Sequence, residues 1–241
     1  MLASGTVSHL HRWPLKSAAG EPSEELELDG RGVIGDRTLA VFDEHKGAPR
    51  RLTARQAPRL LAWRAIGATI TAPDGRSFAA DDPALASALT SDLGRPVTVH
   101  ADSAGQQDLP RSVLVTTQAT LDAIGEALGS SVELDRFRTN VHVVLDAPAY
   151  AEEQWEGTRL RIGEAELEVL HPCERCVIPT RDPTTTEKWP ELLRWLFRER
   201  TGSFGINARP LGAARIRLGD AVTWTSGPGG DGALRSGAVT E

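Results

Sequence analysis

The chain has 241 residues, a formal net charge of −6 and two cysteines. A hydrophobic content of 40% and a charged content of 25% are typical of a globular protein with one large domain or two small ones, and they exclude wholesale disorder. Two cysteines cannot form a disulfide framework in a chain of this length, and the acidic balance argues against a general nucleic-acid binder. Because we find no apolar run long enough for a membrane span and no secretion signal, we expect a cytoplasmic protein that binds neither nucleic acid nor membranes.

Short strands separated by turns dominate the first half of the sequence. Alternating residue types predict a first strand over residues 6–13, with Val7 and the alternate residues up to Trp13 on one face. Further strands are predicted over residues 26–28, 38–42, 60–66, 68–71 and 96–100. A helix is predicted to follow the cap residue Asp82, to end at Leu93 and to be stopped by Gly94.

The second half contains two more predicted helices. Thr117 is the expected cap of a helix over residues 118–128, and residues 189–200 form the other. Strands are predicted over residues 139–145, 159–162, 166–170, 214–218 and 221–224. The last two strands flank Gly219-Asp220, which predicts a hairpin between them.

This order of elements lacks the regular strand–helix alternation of a doubly wound fold. It predicts an α+β protein, namely a β-rich, partly closed barrel with two or three peripheral helices and a smaller N-terminal β subdomain. We expect an N-terminal β-rich region over residues 1–95, a main domain over residues 96–225 and a disordered tail over residues 226–241.

The segment from Cys173 to Cys176 has the spacing Cys-x-x-Cys, which has several chemical interpretations. A structural zinc site needs two more ligands, and a thioredoxin-like pair needs a strand–helix setting that the segment lacks. A single thiolate that binds a soft metal, favoured by the neighbouring cation of Arg175, is a third interpretation. Two packed cysteines without chemistry remain the fourth.

Three other segments carry groups suited to anions or heterocycles. The loop at Lys16-Ser17 offers an ammonium and a hydroxyl, and Arg37 offers a planar fork to a phosphate. Arg138 and Asn140 are two residues apart at the start of a strand, so they share a face, and an Asn amide can read the polar edge of a heterocycle. Each group alone is also typical of an ordinary solvated surface.

Together these segments resemble the MOSC family, the molybdenum-cofactor sulfurase C-terminal domain proteins. The matching pieces occur in the family's order: Pro14-x-Lys16-Ser17-x-x-Gly20, Gly35-Asp36-Arg37, Arg136-Phe137-Arg138-x-Asn140, Cys173-x-Arg175-Cys176, Thr180-x-Asp182-Pro183, Phe204-Gly205-x-Asn207 and Gly219-Asp220-x-Val222. The likeness is greatest to the branch that contains the mitochondrial amidoxime-reducing component and its bacterial relatives. Two departures from that branch stand out: Thr139 replaces its usual proline, and Thr184-Thr185-Thr186-Glu187 follows Pro183 where the branch usually continues with Thr-Gly.

The resemblance implies a mononuclear molybdenum cofactor, a pterin dithiolene with a terminal phosphate. Cys176 is then the protein ligand to the metal, and Arg175 lies beside it. The residues expected to bind the rest of the cofactor are Lys16, Ser17 and Arg37 at the phosphate and Arg138 and Asn140 at the pterin. Asp182, together with Arg175, is expected to shape the site or relay protons.

The implied reaction is the reduction of an N-hydroxylated or other N-oxygenated small molecule. Cys173 and Cys176 cannot supply the four thiolates that an iron–sulfur cluster usually needs, so we expect a separate electron donor of the ferredoxin or flavoprotein kind. One alternative is a sulfur carrier that uses a cysteine persulfide. Another is a cofactor-binding scaffold without turnover.

Overall fold

The computed structural model describes residues 3–101 and 112–225, and the tail predicted over residues 226–241 lies outside them. The strands are β1 (Ser4–Arg12), β2 (Glu21–Pro22), β3 (Glu25–Asp29), β4 (Gly32–Val33), β5 (Leu39–His45), β6 (Ala48–Leu52), β7 (Arg64–Ile66), β8 (Thr69–Thr71), β9 (Ser77–Ala79), β10 (Thr98–Ala101), β11 (Val113–Thr117), β12 (Val141–Leu145), β13 (Arg159–Ile162), β14 (Ala165–Glu174), β15 (Ser203–Pro210), β16 (Ala214–Arg217) and β17 (Ala221–Thr225). The α-helices are α1 (Pro83–Leu93), α2 (Gln118–Leu128) and α3 (Pro190–Arg200).

Seven strands form a closed barrel in the order β1-β12-β11-β15-β14-β13-β17, and β17 pairs back to β1. A ring with an odd number of strands cannot alternate direction throughout, and the one parallel neighbour pair, β11 with β12, resolves this. The sequence-based prediction of an α+β barrel is confirmed, and the barrel is closed rather than partly closed.

The first strand departs from simple alternation. Val7 and Leu10 are buried in the barrel, whereas His9 between them is exposed. The pairing of β1 with β12 shifts register between Val7 and His9, which is the mark of a β-bulge. The predicted single face from Val7 to Trp13 is therefore wrong, because the extra residue at the bulge reverses which side chains point inward.

Two smaller clusters of apolar side chains lie outside the barrel. The strands β5, β6 and β10 form a sheet beside a second sheet of β7, β8 and β9, and α1 packs with both around Leu60, Trp63 and Leu89. The strand predicted over residues 60–66 begins instead as a 3-10 helix, Pro58–Ala62, and only Arg64–Ile66 is a strand. In the other cluster, α2 and α3 pack around the rings of Phe137 and Phe204, which contact each other at an interplanar angle of 42°.

All three predicted helices are present. Asp82 caps α1 by accepting from the amide of Ala84, and Gly94 ends the helix in the left-handed conformation, as the sequence predicts. Thr117 and Gly129 have the same roles at α2. The α-helices of the described residues have 11 residues each, and none is long enough to cross a membrane.

Six strands were not predicted, namely β2, β4, β6, β9, β11 and β15. The predicted hairpin around Gly219-Asp220 is wrong in its pairing, because β16 pairs with β3 while β17 pairs with β1 and β13. The turn exists, but it connects β16 in a small sheet to β17 in the barrel. The division predicted near residue 95 stays a prediction, and β1 from the first part joins a barrel whose other strands come from the second.

Candidate functional site

A cavity of about 270 Å³ opens where loops from both parts of the chain meet. Its walls come from the loop after β1, the residue before β5, the 3-10 helix Leu134–Phe137, the end of β14 and the segment that follows it. We call it the cationic pocket. It contains six of the eight predicted site residues: Lys16, Ser17, Arg37, Arg138, Arg175 and Cys176.

The loop after β1 places Lys16 and Ser17 in one wall. Pro14 lacks an amide proton, so the strand ends there, and the amide of Lys16 donates instead to the carbonyl of Leu39 at 2.8 Å. The hydroxyl oxygen of Ser17 accepts a hydrogen bond from the amide of Ala54 at 3.0 Å. Since a hydroxyl can accept and donate together, the Ser17 O–H proton can also be donated to a ligand.

Arg37 is held from both sides. Its Nη1 pairs with the fully buried carboxylate of Asp36, and its Nη2 donates to the carbonyl of Arg138 at 2.9 Å. Asp36 also accepts from the amide of Trp13 at 2.8 Å. Burial raises the pKa of Asp36, while the guanidinium and the hydrogen bonds oppose that shift. The carboxylate fixes the guanidinium at the pocket wall.

Arg138 ties the pocket together across the barrel mouth. Its guanidinium donates to the carbonyl oxygens of Ala18 at 2.5 Å and Ser17 at 2.8 Å. It also lies over the ring of Trp13, with 4.9 Å between the guanidinium carbon and the ring centroid. These hydrogen bonds make Arg138 a clamp on the Lys16-Ser17 loop.

Three pocket residues have a left-handed backbone that side chains rarely adopt. The φ angles are +75° at Ser17, +50° at Arg37 and +55° at Arg138. Such conformations cost on the order of 1 kcal/mol each and persist where the surrounding structure enforces them, often at functional sites. Their concentration at one cavity marks it as a built site.

The cysteine segment forms the opposite wall, and both cysteines are half-buried. Cys173 is the next-to-last residue of β14, and Arg175 donates from Nη1 to its sulfur at 3.0 Å. The other Nη of Arg175 donates to the carbonyl of Phe137 at 2.6 Å. Arg175 Nε is buried and has no hydrogen-bond partner among the described residues. A buried donor without a partner is costly, so an acceptor on a bound group would stabilise this site.

The structure does not bring Asn140 into the cationic pocket. Its side chain is fully buried, and its amide donates to the carbonyl of His11 at 3.2 Å and to Asp36 at 3.1 Å. Its carbonyl oxygen accepts from the amide of Leu114 at 3.2 Å. These bonds join the loop after β1 to the barrel, and the predicted contact with a pterin stays a prediction.

Asp182 also lies outside the pocket lining. It pairs with Arg136 at 3.2 Å and accepts from the amides of Thr184 at 2.9 Å and Thr185 at 2.7 Å. The amide of Thr185 is the main cause of a lowered pKa of Asp182, so the group is ionised near neutral pH. Asp182 contacts the pocket only indirectly, because it pairs with the lining residue Arg136. Its predicted role as a proton relay stays a prediction.

The sequence interpretation assigned no site role to several residues that line the pocket. They are Thr53, Arg55, Leu114, Arg136, His171, Cys173 and Asn207. Arg136 was readable in principle, because it lies two residues before Arg138 in the same motif. The lining contains six Lys or Arg side chains and one carboxylate, that of Glu174, so the pocket is suited to an anion. No group of three metal-binding side chains occurs among the described residues, which leaves a structural zinc site without its ligands.

Comparisons with known proteins agree with this geometry. Human mitochondrial amidoxime-reducing component 1 is 26% identical, over 75% of this chain and 67% of its own length. A molybdenum cofactor sulfurase from Caenorhabditis elegans is 26% identical over 86% of this chain and 33% of its own length. The crystal structure of the YUAD protein from Bacillus subtilis shares the fold, with a TM-score of 0.55, 15% identity and coverage of 94% of this chain and 98% of its own. Residues 4–105 match the MOSC N-terminal beta barrel domain, and because residues 100–223 match the MOSC domain, the chain belongs to the MOSC domain family.

Proposed function

We propose that the protein binds a molybdenum cofactor in the cationic pocket and reduces N-oxygenated small molecules with electrons from a separate protein. One observation carries the proposal: a single pocket brings the thiol of Cys176 together with Lys16, Ser17, Arg37 and Arg175. The name of the human relative, an amidoxime-reducing component, indicates the substrate class.

The residues present suit such a group. A thiolate is a good ligand for a soft or high-valent metal, and the neighbouring cations balance an anionic cofactor. The partnerless Nε of Arg175 can donate to an acceptor on the pterin side of the pocket. When bound, the cofactor supplies two-electron chemistry at molybdenum, while the protein supplies ligation, orientation and electrostatics.

Each wall then has its own task. Lys16 and Arg37 hold the terminal phosphate, and Ser17 donates its hydroxyl proton to the same group. Arg138 keeps their loop in place through the carbonyls of Ser17 and Ala18. Cys176 fixes the metal on the opposite wall.

His171 is the proton-carrying side chain at the rim. Its Nδ1 lies 2.8 Å from the carbonyl oxygen of Pro172, which can only accept, so Nδ1 carries the hydrogen. In the neutral ring, Nε2 is then the free acceptor, and in the charged ring it is a donor. We assign His171 Nε2 the delivery of a proton to the leaving oxygen of the substrate.

A sulfur carrier is the second candidate. Both cysteines line one pocket, and the cationic Arg175 donates to the sulfur of Cys173, so a positive charge lies beside a sulfur that could carry a persulfide. A relative is named a molybdenum cofactor sulfurase. This function needs an accessible cysteine and does not need Lys16 or Arg37.

Molybdenum and pterin content, measured on protein from a cofactor-producing host, test the first function. We expect Cys176→Ala to lose molybdenum and the reduction of an aromatic amidoxime, whereas the matched variant Cys173→Ala keeps both. Equal metal and equal activity in wild type and Cys176→Ala would contradict the ligand assignment. Lys16→Ala combined with Arg37→Ala separates the two functions, because it should release the cofactor and yet leave a persulfide role intact.

A further inference from the structure

An exposed apolar groove lies on α3, beside the cationic pocket. It is formed by Val177, Leu193 and Phe197 and is rimmed by Lys188, Arg194 and Arg198. We call it the α3 groove. Val177 is 47% exposed and Phe197 is 51% exposed, which is unusual for side chains of this size. An apolar surface with a polar rim is typical of a protein interaction site.

The exposed Phe197 ring packs against the backbone at Gly202. A Cβ at Gly202 would lie 2.6 Å from the ring, so a side chain there would displace it. Gly202 has a φ of +80°, where glycine is favoured. The contact with Gly202 leaves about half of Phe197 exposed to a partner.

The groove and the pocket share a wall. Within the segment 176–180, Cys176 and Ile178 line the pocket, whereas Val177 and Thr180 line the groove. The carbonyl of Gly202, beneath Phe197, also accepts the amide of Arg175 at 2.8 Å. Whatever occupies the groove is therefore one peptide unit away from the expected metal ligand.

The charges of the groove select its partner. The lining holds three cations and no carboxylate, on a chain with a formal net charge of −6. Arg194 pairs with Glu191 at 3.3 Å and Arg198 with Glu199 at 2.6 Å, and such exposed pairs are weak and easily exchanged. A cationic patch attracts and orients an acidic partner surface and repels the same groove of a second copy of the chain.

We propose that the α3 groove docks a small acidic iron–sulfur electron carrier of the ferredoxin type. This inference rests on the proposed function, which needs a donor: R₂N–OH takes two electrons and two protons, the N–O bond breaks, and R₂N–H and water leave. Two reduced carriers bind in succession and deliver one electron each, and the cluster of each is oxidised. A contact below about 1,200 Å² is enough for such a transient encounter.

Binding of an acidic [2Fe–2S] ferredoxin to the purified protein, measured by surface plasmon resonance, is the direct test. We expect Arg194→Glu combined with Arg198→Glu to weaken binding about tenfold or more, and added salt to weaken wild-type binding. Phe197→Ser should weaken it similarly. The matched controls are Arg31→Glu and Ile66→Ser, since Arg31 and Arg194 are 73% and 71% exposed and Ile66 is 52% exposed.

Groove variants that bind the ferredoxin as tightly as wild type would overturn the docking site. Equal weakening in the controls would do so as well. An acidic flavodoxin that binds the groove where the ferredoxin does not would overturn the choice of partner. Should Phe197→Ser unfold, the charge-reversal variant decides, because its side chains lie at the exposed rim.

Turnover distinguishes this proposal from the proposed function. With dithionite as a small-molecule reductant, wild type and the charge-reversal variant should reduce an amidoxime equally. With ferredoxin as donor, only the variant should be slow. Wild type that reduces nothing with dithionite contradicts the proposed function, whereas the binding measurement still decides the docking site.

Discussion

Arg138 donates a hydrogen bond from Nη2 to the carbonyl oxygen of Ser17 at 2.8 Å, across 121 positions of sequence. Arg138, three residues before β12, thereby holds the loop that follows β1. Because β1 and β12 are neighbours in the barrel, closing the barrel also assembles the wall of the cationic pocket.

Replacing Arg138 with lysine tests the clamp. An ammonium keeps the charge but cannot reach two carbonyls with a planar fork, so we expect the loop at Ser17 and Ala18 to loosen. Hydrogen exchange should rise at residues 15–18 and cofactor content should fall, with the unfolding midpoint changed little. Arg76→Lys, at an exposed pair with Asp74, is the control. An unchanged exchange rate at the loop would contradict the clamp.

Removing the charge of Asp36 should destabilise the fold. Asp36→Asn leaves Arg37 buried without its counterion, and breaking a buried ion pair from one side costs about 3–5 kcal/mol. We expect a loss of this order in the free energy of unfolding measured with urea. Asp29→Asn breaks the exposed pair with Arg31 and should cost less than about 1 kcal/mol. Similar losses of stability in both variants would mean that the buried guanidinium of Arg37 does not need the charge of Asp36.

A buried histidine should make the stability pH-dependent. Burial is the main cause that lowers the pKa of His142 from 6.5 to about 4. Gln118 Nε2 donates to Asp122 at 2.7 Å, so its oxygen accepts from His142 Nε2 at 3.0 Å, and His142 Nδ1 lies 2.7 Å from the hydroxyl oxygen of Thr116. The folded protein thus holds a neutral imidazole.

Between pH 6.5 and about 4 the unfolded chain binds a proton at His142 that the folded chain does not. The free energy of unfolding should therefore fall as the pH is lowered through this window, by up to about 3 kcal/mol. Urea unfolding at several pH values measures the slope. His142→Gln should flatten it, while His45→Gln, at an exposed position, should not. Parallel slopes for wild type and His142→Gln would show that other groups cause the pH dependence.

The contact between β1 and β12 has no room for a side chain at Gly5. A Cβ there would lie 1.9 Å from the carbonyl oxygen of Val144 on β12, so either strand must move. We expect Gly5→Ala to cost at least about 2 kcal/mol in urea unfolding. Gly30→Ala, where a Cβ would meet nothing within 4 Å, is the control. Equal stability of the two variants would mean that this contact adapts easily.

Local signals predicted the helices well, and long-range pairing explains what they missed. The caps Asp82 and Thr117 and the stops Gly94 and Gly129 act within one turn, so their positions follow from adjacent residues. The bulge in β1 depends on a partner more than 130 residues away, and no pattern in β1 alone reveals it. The same reason explains why β17 leaves β16 for the barrel.

The candidate site was predicted as a set of types rather than as a geometry. The resemblance to the MOSC family selected Lys16, Arg37 and Cys176, and the fold places all three in one cavity. Asn140 has the polar side chain that a heterocycle needs, yet burial has given its amide to backbone groups and to Asp36. The sequence shows that Asn140 has an amide donor, but it does not show which acceptors the folded chain places beside that amide.

The closure of the barrel through β1 has a consequence for how the chain is made. Ser4 pairs with Thr223, so β1 and β17 can pair only after almost all described residues have been synthesised. This takes about 10 s or more at ordinary rates of translation. Until then β1 presents a hydrogen-bonding edge that other chains can capture. We expect slow refolding limited by this distant pairing, and a need for dilute or chaperone-assisted conditions when the protein is produced at high concentration.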